Sequence, residues 1–211
     1  MTAAIIGTGG LGSVIARVLA AGGETLRLAS ADKRSAQTVA AAVGPAAVVA
    51  ADNDDALAGA DTVILALRFT ALKGVIDEIA GQVAGKLVVV PSNPLSTDAH
   101  GSVYRVLPKG QSSGKVVTGW LPAGTPLAMA FGTMSAGLLE SSANRSPQPA
   151  VLFYAAADDR AAQGVERLIR TAGFDPLQVG GIEQSGRLEV GGDLHDVVVG
   201  LAEARALVGD A

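Results

Sequence analysis

Two periods alternate along the first ninety positions of the chain. Short apolar runs recur, and the segments between them carry apolar residues three or four apart. The runs are too short for helices and predict strands at Ala3–Ile6, Thr25–Ala29, Ala46–Ala50, Thr62–Leu67 and Lys86–Val90. The last two read TVILAL and KLVVV, which suits parallel strands covered on both faces. The intervening pattern predicts helices. One, over Gly10–Ala21, sets Val14, Ile15, Val18 and Leu19 on one face, and Gly22-Gly23 stops it. The next starts near Asp32, carries Ala36, Val39, Ala40 and Val43, and stops at Gly44-Pro45. The acidic cluster Asp52-Asn53-Asp54-Asp55 opens a short helix, because carboxylates suit a helix N-terminus. A fourth helix is expected from about Thr70 to Ala80.

Beyond Val90 the texture changes. Residues 91–114 are rich in Pro, Ser, Gly and Lys and read as a long loop, of the kind that is usually functional or disordered. A helix over Lys115–Leu121, a strand over Leu127–Phe131 and a helix over Ser135–Ser142 follow. Ser146-Pro147-Gln148-Pro149 breaks the chain. Strand Ala150–Ala155, helix Arg160–Ala172 and strand Pro176–Val179 come next. The tail from Arg187 to Val208 is weakly helical and interrupted by Gly191-Gly192.

The junction of the first strand and helix holds the densest chemical signal. Gly7, Gly9 and Gly12 fall in the spacing G-x-G-x-x-G between a strand and an amphipathic helix. Gly7 permits the tight turn, Gly9 lets backbone approach a pyrophosphate, and Gly12 lets helix and strand pack closely. Free N–H groups at the helix start then face the phosphates. The second strand ends Leu28-Ala29-Ser30, without the carboxylate that binds ribose hydroxyls in NAD enzymes. With Ser30, Lys33 and Arg34 close by, that favours a 2′-phosphate and hence NADP. Asp32 reads as a helix cap. The expected architecture is α/β, a doubly wound, mostly parallel sheet with its crevice at the carboxyl ends of strands one and four. Residues 1–130 form the dinucleotide-binding domain in this reading, and 131–211 a smaller C-terminal α/β portion closing the acceptor site.

Composition narrows the chemistry. The 211 residues are 49% hydrophobic and 17% charged, which indicates a globular chain. A net charge of −4 gives no reason to expect nucleic acid or an anionic membrane. No apolar run approaches the ~18 residues of a membrane helix and no basic leader is evident, so a cytoplasmic protein is expected. There is no cysteine, which excludes disulfides, thiol nucleophiles and thiolate metal sites within the chain. The two histidines, His100 and His195, are far apart, and no G-x-S-x-G elbow is present. No metal site is expected, and no acid–base residue stands out as catalytic. Hydride transfer between two bound cofactors fits this poverty of reactive side chains, since the cofactors carry the difficult chemistry. A nucleotide sensor without turnover, or a reductase of a small carbonyl, are the other readings.

Taken together, IIGTGGLG, LRLAS, DTVILALRF and VVVPSNPL resemble the NADP oxidoreductases that depend on coenzyme F-420, a deazaflavin. The resemblance is best over residues 3–95. Further on, Ser185-Gly186-Arg187-Leu188-Glu189 is similar to a stretch before the family's last helix. The resemblance implies a Rossmann fold, NADP, and coenzyme F-420 or a flavin as second substrate, in a homodimer. It places Thr8, Gly9, Gly10 and Leu11 at the pyrophosphate and Ser30 at the 2′-phosphate. Leu67 and Arg68 would line the adenosine side, Asn93 and Pro94 would border the nicotinamide, and Thr133 and Met134 would lie across the ring near the deazaflavin. Two positions depart from the family pattern. Ala31 replaces the arginine common after the strand-two serine, and Gly132 stands where a larger polar or imidazole side chain is found.

Overall fold

The computed structural model describes residues 2–209 and builds one eight-stranded sheet and a small two-stranded one. In chain order the elements are β1 (Thr2–Ile6), α1 (Gly10–Ala21), β2 (Thr25–Ala29), α2 (Lys33–Val43) and β3 (Ala47–Val49). Then come α3 (Asn53–Leu57), β4 (Thr62–Leu65), α4 (Phe69–Ile79) and β5 (Leu87–Val90). A hairpin of β6 (Leu95–Thr97) and β7 (Val103–Arg105) follows, then α5 (Ser113–Thr118) and β8 (Leu127–Met129). The chain closes with α6 (Ala136–Ser142), β9 (Val151–Ala156), α7 (Asp159–Thr171), β10 (Asp175–Gly181), a 3-10 segment (Ile182–Leu188) and α8 (Leu201–Val208).

The large sheet runs β10-β9-β8-β5-β4-β1-β2-β3. Strands β1 to β5 and β8 are mutually parallel, β9 pairs antiparallel with β8, and β10 returns parallel to β9. This is the doubly wound, mostly parallel Rossmann-type sheet that the run of short apolar segments implied. The order reverses between β1 and β4, so the loops after these strands part and leave a crevice at their carboxyl ends.

Strand alternation splits the core in two. Ala3 and Ile5 face one side with Val14, Ile15 and Leu19 of α1 and Val165 and Leu168 of α7. Ala4 and Ile6 face the other, with Leu72 and Ile76 of α4, Val117 of α5 and Ala204 of α8. Both faces being covered explains why β4 and β5 are apolar throughout. Asp32 caps α2 by accepting from the Arg34 amide at 3.0 Å, and Asp52 caps α3 by accepting from Asp55 N at 2.8 Å.

The stretch 91–114 is not one loop. Its Leu95–Thr97 and Val103–Arg105 pair as a hairpin, turned at Asp98, whose carboxylate accepts from His100 N (2.8 Å) and Ser102 N (2.9 Å). Polar residues alternate with few apolar ones here, so no periodic signal marks the strands. The tail differs too: a 3-10 segment begins at Ile182, and helix is confined to α8. No helix among the described residues is long and apolar enough to cross a membrane.

Candidate nucleotide-binding crevice

The turn after β1 behaves as its glycines require. Gly7 has φ +98, and a Cβ there would strike the Ala66 carbonyl; a Cβ on Gly12 would strike the Gly7 carbonyl. Both glycines are therefore set by packing. Gly9 and Gly10 differ, since a Cβ on either would meet nothing within 4 Å. No side chain caps the start of α1 and no acid lies in its first turn. Exposed backbone, free helix-start amides and open space beside them fit a pyrophosphate.

Thr8 is buried, and its hydroxyl turns to Ser35 Oγ at 2.8 Å, while Ser35 Oγ donates to Thr8 O at 2.8 Å. Thr8 thus ties the turn to α2 through both its hydroxyl and its carbonyl. Ser30 follows β2, partly exposed, and Lys33 and Arg34 open α2, both exposed. Neither cation forms an ion pair among the described residues, and the nearby Asp32 carboxylate is spent on its cap.

Two pockets flank the Pro91–Asn93 segment, and the outer one reaches Leu11 at the start of α1. The outer one, about 360 Å³, runs from Leu11 past Leu67 and Arg68 to Pro91–Asn93, with the β6–β7 hairpin as its far wall. Arg68 is exposed at the start of α4. Phe69, in the same wall, packs against Trp120 with ring centroids 5.4 Å apart. The inner pocket, about 20 Å³ and so room for about one water, lies behind Pro91–Asn93 and reaches Met129, Thr133, Ser185 and Glu189.

Asn93 stands between the pockets with its carboxamide engaged. Its Nδ2 donates to Gly132 O at 2.9 Å, and its Oδ1 accepts from Val190 N at 2.7 Å. It therefore bolts the loop after β5 to the loop after β8 and to the tail. Pro94 is buried, and its carbonyl accepts from Val106 N at 2.8 Å, which closes the hairpin. Thr133 lines the inner pocket, 1% exposed, and its Oγ1 has no hydrogen-bond partner. Met134 is 2% exposed and packs in the core cluster that holds α1 and α7, away from both pockets. Of the residues singled out from sequence, the fold thus gathers Leu11, Leu67, Arg68, Asn93 and Thr133 around the pockets. Gly7 to Gly10, Ser30, Lys33 and Arg34 lie along the turn and the start of α2.

Gly132 has a structural cause. A Cβ at this position would collide with the Pro91 carbonyl, so the loop after β8 crosses the loop after β5 too closely for any side chain. Beside it, Phe131 holds a left-handed φ of +67 while fully buried.

The tail supplies a residue that sequence reading did not single out as a site. Glu189 is 4% exposed; its Oε1 accepts from Ser113 N and Ser113 Oγ, both at 2.6 Å, and its Oε2 accepts from Arg105 Nη1 at 2.6 Å. One carboxylate thereby joins tail, α5 and hairpin. His195 and Asp196 sit in a turn, not on a helix; Nε2 and Oδ2 are 3.6 Å apart. Asp196 Oδ1 accepts from Ser135 N at 2.8 Å and Asp196 N donates to Thr133 O at 2.6 Å, so this pair braces the wall of the inner pocket. No group of three acidic, His or Cys residues is placed to hold a metal among the described residues.

Residues 2–94 match the family described as NADP oxidoreductase, coenzyme F-420-dependent, which shows the resemblance over that segment. No curated protein matches the sequence. Among solved structures, a hypothetical protein from Sinorhizobium meliloti is 27% identical with a TM-score of 0.77, over 95% of each chain. A candidate F-420-dependent NADP reductase from Arthrobacter sp. FB24 is 23% identical with a TM-score of 0.74, over 89% of each chain. A pyrroline-5-carboxylate reductase from Coxiella burnetii is 16% identical with a TM-score of 0.64, covering 88% of this chain and 61% of that one. The last two are similar in fold.

Proposed function

We propose that this member of the NADP oxidoreductase fold transfers a hydride between NADPH and a deazaflavin of the coenzyme F-420 type, or a flavin. The observation that carries the reading is the acid-free end of β2, with Ser30, Lys33 and Arg34 beside it and neither cation ion-paired. A 2′-phosphate there meets two positive charges without ion-pair partners, while the Asp32 carboxylate beside them accepts from the Arg34 amide at the helix start. The family match over residues 2–94 supports the same cofactor.

NADPH, when bound, supplies the hydride, and the acceptor takes that hydride together with a proton from solvent. The chain's own part is to bind and align. Gly9 and Gly10 present backbone to the pyrophosphate, and the N-terminus of α1 offsets its charge. Leu11 and Leu67 give the outer pocket an apolar floor. The Asn93 bolt fixes the two loops that flank the ring position, so donor and acceptor meet in a prearranged gap. No general acid is required by this scheme.

The test mixes purified protein with NADPH and, in turn, oxidised deazaflavin, FMN and a panel of carbonyl and imine compounds, following the nicotinamide absorbance. Turnover with deazaflavin or FMN is expected. Tight NADPH binding without turnover of any acceptor would remove the enzyme reading. NADPH should bind about tenfold to hundredfold tighter than NADH, the worth of a charge-assisted phosphate contact. Lys33→Ala combined with Arg34→Ala should erase that preference.

A further inference from the structure

We propose that Arg68 selects the second substrate by charge: the outer pocket takes an acceptor that carries a phosphate on its side arm, and the Arg68 guanidinium pairs with that phosphate. This rests on the hydride-transfer reading above. It moves Arg68 from the adenosine side of the crevice, where the resemblance puts it, to the acceptor's side.

The first observation is a charge without a partner. Arg17, Arg27, Arg105, Arg167, Arg170 and Arg187 each pair with a carboxylate, whereas Arg68 forms no ion pair among the described residues. It is exposed and lines the outer pocket of about 360 Å³. Among the described residues lining that pocket none is acidic, and Arg68 is the single charged side chain. A cleft of one sign draws ligands of the other. Thr70, Ser96 and Thr97 set hydroxyls in the same walls, and these can donate to a phosphate.

Local stability does not account for this charge. Arg68 precedes α4 and makes no side-chain cap, and a cation there opposes the helix dipole. The guanidinium is therefore unspent within the protein and free for a ligand.

Direction separates Arg68 from the phosphates of the dinucleotide. Leu67 rests on the glycine turn, since a Cβ on Gly7 would come within 3.0 Å of Leu67 Cδ2. Arg68 follows in extended backbone, with φ −62 and ψ 139, where neighbouring side chains diverge. It thus turns away from the glycine turn, towards the flank where α4 packs against β6. In the reading above the pyrophosphate has the Gly9–Gly10 turn and the 2′-phosphate has Lys33 and Arg34. The hairpin flank is left to the second substrate, and Val103 there, 66% exposed, offers its ring an apolar surface.

The experiment titrates wild type, Arg68→Gln and Arg68→Lys with FMN and with riboflavin, which share a ring and differ by one phosphate. Saturating NADP+ fills the dinucleotide site and prevents turnover, and flavin fluorescence is the readout. Wild type should bind FMN about five- to twentyfold tighter than riboflavin, the worth of a charge-assisted contact at an exposed residue. That ratio should shrink as salt rises. Arg68→Gln should weaken FMN until it matches riboflavin and leave riboflavin as it was, while Arg68→Lys should keep part of the preference. NADPH affinity should be equal in all three proteins, read from Trp120, which packs on Phe69 of the outer pocket wall. Equal binding of FMN and riboflavin to wild type, or a preference that survives in Arg68→Gln, overturns the assignment and leaves the hydride-transfer reading in place. A loss of NADPH affinity in Arg68→Gln as large as the loss for FMN returns Arg68 to the dinucleotide and overturns it too. Binding of NADPH with binding of neither flavin removes the flavin-type acceptor, and this assignment with it.

Discussion

Removing the Glu189 carboxylate should unfasten the β6–β7 hairpin and α5 from the tail. In Glu189→Ala, Ser113 loses the acceptor for both its amide and its hydroxyl, in a residue that is 0% exposed. Arg105, with a side chain 32% exposed, loses its ion pair and keeps its bond to Gln111 O at 2.7 Å. Breaking a largely buried pair by deleting one partner costs about 3–5 kcal/mol, and here two stranded donors on Ser113 hold the loss in that range. For a chain of this size the melting temperature should fall by about 6–20 °C. Glu189→Gln keeps an acceptor for Ser113 but sets an amide against Arg105, so the loss should be smaller, about 1.5–3 kcal/mol. The assay is urea unfolding followed by Trp120 fluorescence, joined to limited trypsin digestion. The hairpin is held to α5 and the tail through Arg105, so cleavage after Arg105 should quicken in Glu189→Ala under native conditions. A stability within about 1 kcal/mol of wild type, with unchanged digestion, would refute the account of Glu189 as a clamp.

Other outcomes follow from single positions. Gly9→Ala should fold with near-normal stability, because its Cβ meets nothing within 4 Å, yet lose NADPH affinity in a binding titration; Gly12→Ala should lose stability outright, because its Cβ meets the Gly7 carbonyl. Equal behaviour of the two would contradict the division between packing and ligand glycines. Burial pulls the Glu166 carboxyl upward, but hydrogen bonds from Tyr154 and Arg170 outweigh it and hold the group below its ordinary range. The folded form then binds fewer protons than the unfolded one, so this contribution is full above the ordinary carboxyl value near ~4.3 and is lost as pH falls through the lower folded value. Glu166→Gln should flatten the acid limb of a stability–pH curve. Burial, with the hydrogen bond to Glu166, raises the Tyr154 phenol. Its contribution is full below about pH 10 and is lost as pH climbs further, so Tyr154→Phe should flatten the alkaline limb.

Local pattern was enough for the first five strands and their helices. Each of the first five strands is an apolar run beside a helix of matching periodicity, and Gly7, Gly12 and Ser30 fall where a βαβ unit needs them. Their spacing within the turn is a local pattern, although the Ala66 carbonyl that bars a Cβ at Gly7 comes from the end of the β4 region. The helix caps Asp32 and Asp52 were legible for the same reason. The hairpin after β5 was not, because Leu95–Thr97 and Val103–Arg105 have no apolar alternation and hold to each other across the Asp98 turn.

What tertiary structure alone decided lies at long range. Glu189 reaches Ser113 and Arg105, 76 and 84 positions away, and Asn93 reaches Val190, 97 positions away. No periodicity encodes such pairings, since they arise only when the loops after β5 and β8 and the tail converge at one edge of the crevice. The same convergence explains Gly132, which looked like a missing functional side chain and is the space taken by the Pro91 carbonyl. It also left Thr133 with a buried hydroxyl and no partner. The sequence by itself determined the strand, glycine turn and helix at the start of the chain and the acid-free end of β2, because these rest on backbone conformation and local pattern. The pockets on either side of Asn93 needed the fold, because they are made of contacts between parts of the chain that only folding brings together.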